Sequence, residues 1–400
     1  MSQFHRTERK LAEKVQVSAR EKSIKRLHDY SRMYLTSHAC KYVAAAEAIK
    51  QNKRAGQRSV TELAERMNVF EACGEPVFLD LVARDESAYE YRYILSFGTE
   101  NRARQILLRN LLKARWNVSR AQTMMNGGRN AAVQQVIRHY TEGYIHIAEL
   151  DIKRCYKSFG MIGIQQMLHL PERVVRHVLS AASLNIDLSY TARRVIYHDH
   201  DIPLTPMELF RGLHGEDWDE AQQGLIEGSK VSPFVAELLL APVCQAILAS
   251  GAGVVINYAD NFLLMAKTKC GLETMKTILR EKLRTHPAGP LTVGEVYAKF
   301  ALNSAFDFLG YKLVPGVSSL NPEISERNER KARKIRSQAY KAIRSNLSKE
   351  KLSEYIKHCV REHRSLLNAF PLWEGAEAYE SRKLSALLRC VQSRITTASP

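Results

Sequence analysis

The chain has 400 residues, with 59 Lys and Arg against 42 Asp and Glu and a formal charge of +17. That length permits two or three packed subdomains around a sizeable core, and the basic excess points to a polyanionic partner, nucleic acid first. Seven dispersed cysteines without a Cys-x-x-Cys pair argue against a zinc ribbon, a redox dithiol or a disulfide framework, and fit a reducing cytosol. The N-terminus lacks an apolar signal core. No stretch is read as reaching transmembrane length, because the long apolar region from Phe234 to Leu248 carries Glu237 and Gln245 inside it. A cytoplasmic protein without a membrane segment is the expectation.

Residues 1–70 read as helical. Glu8 to Tyr34 is densely charged with recurrent Leu, Val, Ile and Met, and Ala44 to Gln51 has high helix propensity. The charges make a solvated face, whose basic members are also suited to gripping RNA. Gly74, Pro76 and Gly98 punctuate the next stretch of chain. Tyr89 to Phe97 reads as a strand, Gly98 to Asn101 as a turn, Arg102 to Ile106 as the start of a new element, and Leu107 to Arg115 as helix. Gly127-Gly128-Arg129 precedes a helix over Ala131 to Tyr140, and the glycine pair permits close approach of a backbone or base.

Two short runs rich in Ile, Val and Tyr then read as buried strands: Tyr144 to Leu150, followed by Asp151, and Val254 to Tyr258, followed two residues later by Asp260. A lone Asp at a strand end is commonly a turn residue. An ionised carboxylate beside a buried strand is costly unless it is paired or holds a metal. Two that converge can hold a pair of Mg²⁺ ions, about 3.5–4 Å apart, as in-line nucleotidyl transfer requires. Between the two runs lies a variable stretch, about 165–223, with the loop Asp199 to Met207 and the acidic Gly215 to Glu220. From Asn321 onward Arg327, Arg330, Lys331, Arg333, Lys334, Arg336, Lys341 and Arg344 recur at helical spacing, against Glu323, Glu326 and Glu329.

Four blocks occur in order: Asp151-Ile-Lys-Arg-Cys-Tyr156, Gly224-Leu-Ile-Glu227-Gly228-Ser-Lys-Val-Ser232-Pro233, Tyr258-Ala259-Asp260-Asn261 and Phe306-Asp-Phe308-Leu309-Gly310-Tyr311. Together they resemble the palm motifs of reverse transcriptases, and more narrowly the bacterial enzymes of group II intron, retron and defence-associated kind, over roughly residues 90–315. The resemblance implies an α+β right-hand polymerase with fingers, an antiparallel-sheet palm and a helical thumb. It divides the chain into a basic helical N-terminal extension (1–88), fingers (89–145), a palm with an inserted variable region near 165–223 (146–315), and a helical thumb and C-terminal region (316–400).

The resemblance also implies roles. Asp151 and Asp260 would hold two Mg²⁺ ions (Mn²⁺ as substitute), with the carbonyl of Ile152 completing one shell and Asn261 as their catalytic neighbour. Tyr156 would be a steric gate under the sugar that selects deoxynucleotides. Arg104, with Arg102 and Arg92 behind it, would contact the triphosphate. Glu227 and Gly228 would border the nucleotide, Gly228 admitting the templating base. Phe308, Leu309, Gly310 and Tyr311 would form the primer grip. Arg129 would reach template phosphate, and Arg330, Arg333 and Lys334 would contact a duplex from the thumb. Lys299 or Lys282 would be the general acid for pyrophosphate.

The chain departs from the family at three places. Asn261 stands where a second Asp is usual, and its amide oxygen can ligate a hard cation but brings no charge. Glu227 replaces Gln and can accept but not donate hydrogen bonds. The Pro-Lys pair of the first finger strand is missing. The leading expectation is an RNA-directed DNA polymerase in a bacterial antiphage defence system, working on a noncoding or template RNA, a DNA primer or product and deoxynucleoside triphosphates, with a second polymerase subunit as a further partner. A weakly active or inactive RNA-binding subunit, and a template-independent or protein-primed DNA polymerase, stay open as alternatives.

Overall fold

The computed structural model describes residues 3–52, 59–83, 91–116, 119–193, 224–299, 304–345 and 347–397. The loops at Asp199 to Met207 and Gly215 to Glu220 lie outside them. The chain is α+β. It opens with α1 (Gln3–Arg20), α2 (Ile24–Thr36), α3 (His38–Gln51) and α4 (Val60–Arg66). Their apolar stripes bury Val15, Leu27, Leu35 and Leu63, and the alanines 44, 45 and 48 of α3 let it approach α5 (Thr99–Arg115) closely. Arg109 Nη2 reaches both Glu47 oxygens, at 2.8 and 2.9 Å, across that contact.

Strand β1 (Pro76–Ala83) pairs antiparallel with β2 (Tyr91–Phe97). The turn expected over Gly98 to Asn101 is instead the first turn of α5. The reason is a cap donated from a distance: the Glu75 carboxylate accepts from the backbone N–H of Glu100 (3.2 Å) and Asn101 (2.8 Å), satisfying donors that a helix start leaves open. A Cβ on Gly98 would lie 2.2 Å from that carboxyl carbon, so glycine is what the cap admits there.

Helix α6 (Gly128–Thr141) leads into β3 (His146–Ile152), α7 (Cys155–Ser158), α8 (Met161–Leu168) and α9 (Glu172–Val174), which continues as a π-helical turn Val175–Leu179. Strand β4 (Asn185–Leu188) then joins the edge of β1 in parallel. The described part of the expected variable insertion is therefore integral. It puts Leu168, Val174 and Val178 into the main core and Leu184, Ile186 and Leu188 under the β1–β2 sheet.

The central sheet has the order β5-β6-β3-β7 with every neighbour antiparallel, from β5 (Val254–Tyr258), β6 (Asn261–Ala266) and β7 (Val293–Lys299) around β3. Period-two alternation splits it into two faces. Ala148, Leu150, Ile152, Phe262 and Leu264 pack into the core that also holds α10 (Ser232–Ala249) and α11 (Lys269–Arg284). Ile147, Leu263 and Met265 face a second core with α6 and the C-terminal elements. By length and composition alone α10 is apolar enough to cross a membrane, contrary to the expectation that no stretch reaches that length. Here it is a mostly buried core helix packed against the central sheet.

Strands β8 (Phe306–Phe308), β9 (Tyr311–Pro315) and β10 (Leu320–Ile324) form a third antiparallel sheet, followed by α12 (Glu326–Arg344), α13 (Lys349–Asn368) and α14 (Ala376–Thr397). β10 pairs with β9, so this sheet runs across the expected palm–thumb border at 315. In the same way β1 ties residues 76–83 to β2, across the expected border of the fingers at 89.

Candidate metal centre and nucleic-acid interface

Strands β5 and β6 are joined by a two-residue turn, Ala259-Asp260, closed by the Tyr258–Asn261 pair. Ala259 has a φ of +55°, a left-handed conformation that costs an L-residue about 1–2 kcal/mol. Across the sheet Asp151 lies opposite Asn261 in register, and the N–H of Ile152 donates to the carbonyl of Asp260 at 3.2 Å. The end of β3 and the turn are thus bonded to each other, and Asp151, Asp260 and Asn261 meet at one end of the sheet. By alternation Asp151 and Asn261 share the face of Ile147 and Leu263, away from α10.

Burial and the like charge of Asp260 push the Asp151 carboxyl up to about 6. Asn261 Nδ2 donates to Asp260 Oδ1 at 3.4 Å, so the amide in the unusual position orients the carboxylate beside it. Glu149, two residues before Asp151 on the same face, is pushed up to about 7 by burial, with the charges of Asp151 and Asp307 adding to it. Among the described residues no group of three or more His, Cys, Asp and Glu is arranged to hold a metal. The donors brought together are the Asp151 and Asp260 carboxylates, both hard oxygen. They suit Mg²⁺, which typically takes one or two carboxylates and completes its octahedron with water and substrate phosphate. Tyr156 sits in α7, half-buried against the main core. Its carbonyl accepts from Leu225 N–H at 2.7 Å, which docks the second block onto the first.

A buried polar relay behind the turn escaped the sequence reading. Asn257 of β5, fully buried, donates from Nδ2 to the carbonyls of Ala259 (2.9 Å) and Asn261 (3.1 Å). Its Oδ1 accepts from Gln122 Nε2 at 3.4 Å, and Gln122 also donates to the carbonyl of Glu237. The Glu237 carboxylate, in α10, accepts from Met124 N–H (3.0 Å) and Met125 N–H (3.3 Å). The available signal was Glu237 as the lone acid in an apolar run: an internal acid needs internal donors.

Burial pushes the Glu237 carboxyl up to about 7. The folded chain then holds its proton more tightly than the unfolded chain. This contribution to stability is fully present below the ordinary carboxylate range and is lost as pH rises through about 7. Glu237→Gln removes that linkage. Relative to the variant, wild type should therefore be more stable at pH 5 than at pH 8, by on the order of 2 kcal/mol, as read from paired denaturant melts.

Several residues assigned to substrate are engaged elsewhere. Arg104 is 1% exposed and donates to the carbonyl of Glu71. It braces the loop before β1, so its assignment to the triphosphate is corrected: α5 turns that face inward. Arg102 is half-buried on α5, and the Arg92 side chain lies outside the described residues. Gly228, expected to admit the templating base, accommodates strand β2 on the side of its absent Cβ. A Cβ there would lie 2.3 Å from the carbonyl oxygen of Leu95, and the Glu227 carbonyl accepts from Leu95 N–H at 3.3 Å. The second block is thus pressed onto strand β2. Lys299 Nζ is engaged with Ser304 Oγ (2.7 Å) and the Ala305 carbonyl (2.9 Å), whereas Lys282 is exposed near the end of α11.

The Phe308-to-Tyr311 segment is a tight hairpin whose central residues, Leu309 and Gly310, both have positive φ, +49° and +84°, as a type I′ turn requires. Phe308 and Tyr311 are buried, and the tip is held from the C-terminal side, where Asn328 Nδ2 donates to the Gly310 carbonyl at 3.1 Å. Arg129, expected on template phosphate, instead donates to the Ala369 carbonyl and lies over the Phe370 ring at 4.4 Å. It ties α6 to the end of α13 and the hairpin. On α12 the face with Arg327, Arg330, Lys331, Arg333, Lys334, Lys341 and Arg344 is exposed. Arg333 has a long contact, 4.0 Å, to Glu329. Arg336 is the exception, buried and donating to His363 Nε2 (2.9 Å) and the Tyr379 hydroxyl (3.2 Å).

No protein-family model and no curated protein matches the chain. Solved structures similar to it include telomerase from Candida albicans in complex with the TWJ fragment of telomeric RNA, at 14% identity and a TM-score of 0.37, over 81% of this chain and 64% of that one. Apo telomerase from Candida tropicalis, truncated of its C-terminal domain, aligns at 10% identity and a TM-score of 0.36, over 63% of this chain and 55% of that one. Telomerase from Candida tropicalis with a TWJ fragment aligns at 12% identity and a TM-score of 0.35, over 81% of this chain and 62% of that one. The chain spans less than two thirds of each of these proteins.

Proposed function

We propose that the chain is a nucleotidyltransferase of the reverse-transcriptase type, adding deoxynucleotides to a 3′ end. The observation that carries this reading is the meeting of Asp151 and Asp260 at one end of an antiparallel sheet, fastened by the Asp151–Asn261 register and the Ile152–Asp260 hydrogen bond. Asp151, Asp260 and the Ile152 carbonyl would hold Mg²⁺, which when bound lowers the pKa of the attacking hydroxyl and neutralises the leaving pyrophosphate. The protein's own part is positioning and charge placement, because phosphoryl transfer needs no protein nucleophile. The strand pairing holds both carboxylates on a rigid frame. Asn261 orients Asp260, and Tyr156 restricts the sugar. The exposed basic face of α12 takes phosphates of a template–product duplex.

A structured noncoding RNA, a second polymerase subunit and a role in bacterial antiphage defence belong to the same proposal, and they rest on the resemblance of the four sequence blocks. The test is primer extension on RNA and DNA templates with Mg²⁺ or Mn²⁺, wild type beside Asp260→Ala and Asn261→Asp, with product sequencing to separate copying from untemplated addition. Deoxynucleotide incorporation lost in Asp260→Ala supports the proposal. No incorporation on any template favours the second reading, an RNA-binding subunit, for which the uncharged Asn261 is the specific observation.

A further inference from the structure

The turn that presents Asp260 depends on support from outside itself. It has only two residues, its first is an alanine at φ +55°, and beyond its own hairpin it is tied to β3 by the bond from Ile152 N–H to the Asp260 carbonyl. From behind it is held by Asn257. This side chain belongs to the opposite face of the sheet from Asp151, since its pairing partner Phe262 packs into the α10 core. Its amide reaches around the strand end and donates to the carbonyls on both sides of Asp260, those of Ala259 and Asn261. The backbone of Asn257 is pinned as well, by its N–H to the Ala121 carbonyl (2.7 Å) and by its carbonyl to Thr123 N–H (2.9 Å). Gln122 fixes which way the amide points. Its Nε2 donates to Asn257 Oδ1, so the amide nitrogen is left to face the turn.

We propose that Asn257 is a positioning residue for the divalent-cation site, with Gln122 as the residue that sets its orientation. The inference rests on the metal-centre reading of Asp151 and Asp260. Two donors converging on the carbonyls that flank one carboxylate-bearing residue fix that residue's backbone, and hence the direction of its side chain. Partners that orient a metal ligand from behind typically govern metal affinity by 10–100-fold. An apolar residue would fill the same space among Phe262 and its neighbours but would withdraw the donor that the Ala259 and Asn261 carbonyls share.

The test is Mn²⁺ binding followed by electron paramagnetic resonance on the full chain, with thermal melting in the absence of metal as the parallel readout. Wild type, Asp260→Ala, Asn257→Ser and Gln122→Met are compared. Gln122→Met keeps the volume and removes the orienting donor, together with its bond to the Glu237 carbonyl, so it serves if Asn257→Ser does not fold. The expected result is that Asp260→Ala abolishes binding, Asn257→Ser weakens it about 10-fold or more, and Gln122→Met weakens it by a smaller factor. Wild-type Mn²⁺ affinity in the variants, even with a lowered melting temperature, makes the relay a purely structural element and overturns the inference while leaving the metal centre standing. Absence of Mn²⁺ binding in wild type itself overturns the metal-centre reading, and the inference with it.

Discussion

Asp260→Ala should reduce the single-turnover rate of deoxynucleotide incorporation about 1000-fold at saturating Mg²⁺, with the fold unchanged. The size comes from the several kcal/mol that a metal-held charge contributes to phosphoryl transfer, each 1.36 kcal/mol being tenfold in rate. The fold should survive because Asp260 meets β3 through its backbone: the Ile152 N–H bond goes to its carbonyl, which alanine keeps. Asp151→Ala should have a similar effect, and the double variant should be little worse than either alone, since two ligands of one centre act as a unit. Asn261→Asp adds a charge beside Asp260 and should lower the Mg²⁺ concentration for half-maximal rate. Incorporation within a few-fold of wild type in Asp260→Ala would sink the assignment of the centre.

Gly228→Ala should be among the most damaging methyl additions in the chain, destabilising it by about 3 kcal/mol. The residue has a φ of +93°, where an L-residue costs about 1–2 kcal/mol, and its Cβ would sit 2.3 Å from the Leu95 carbonyl oxygen, where overpacking adds about 1–3 kcal/mol. Gly128→Ala is the matched control. Its φ is +70°, but nothing lies within 4 Å of the added carbon, so only the backbone cost of about 1–2 kcal/mol applies. Denaturant melts of the two variants separate the terms. Equal losses would show that the second block is not pressed onto strand β2.

Local patterns carried much of the architecture. The apolar runs before Asp151 and Asp260 are strands β3 and β5, the helices at 1–70, 131–140 and 327–344 are present, and the Phe308-to-Tyr311 block is a hairpin. These elements are written in side-chain period, turn chemistry and propensity, all of which act within a few residues. The N-terminus of α5 is not legible locally, because its cap, Glu75, comes from outside the helix. The variable region was read as an insertion because nothing local tells a strand such as β4 that its partner is β1, about a hundred residues earlier.

Site residues divide along the same line. That the chain is basic, that Asp151 and Asp260 end buried strands, and that Asn261 removes a charge were all determined by the amino-acid sequence alone, because residue type and neighbours settle them. Which cations are exposed and which are buried was decided only by the tertiary structure. Arg104 and Arg129 look like any exposed arginine in a string of letters, yet one is buried against the Glu71 carbonyl and the other lies over Phe370. The same holds for Gly228, whose missing side chain accommodates Leu95, and for Asn257, whose amide holds the turn from behind. A side chain's partners depend on which surfaces the packed helices and sheets bring within about 3 Å of it, and that is a property of the whole fold.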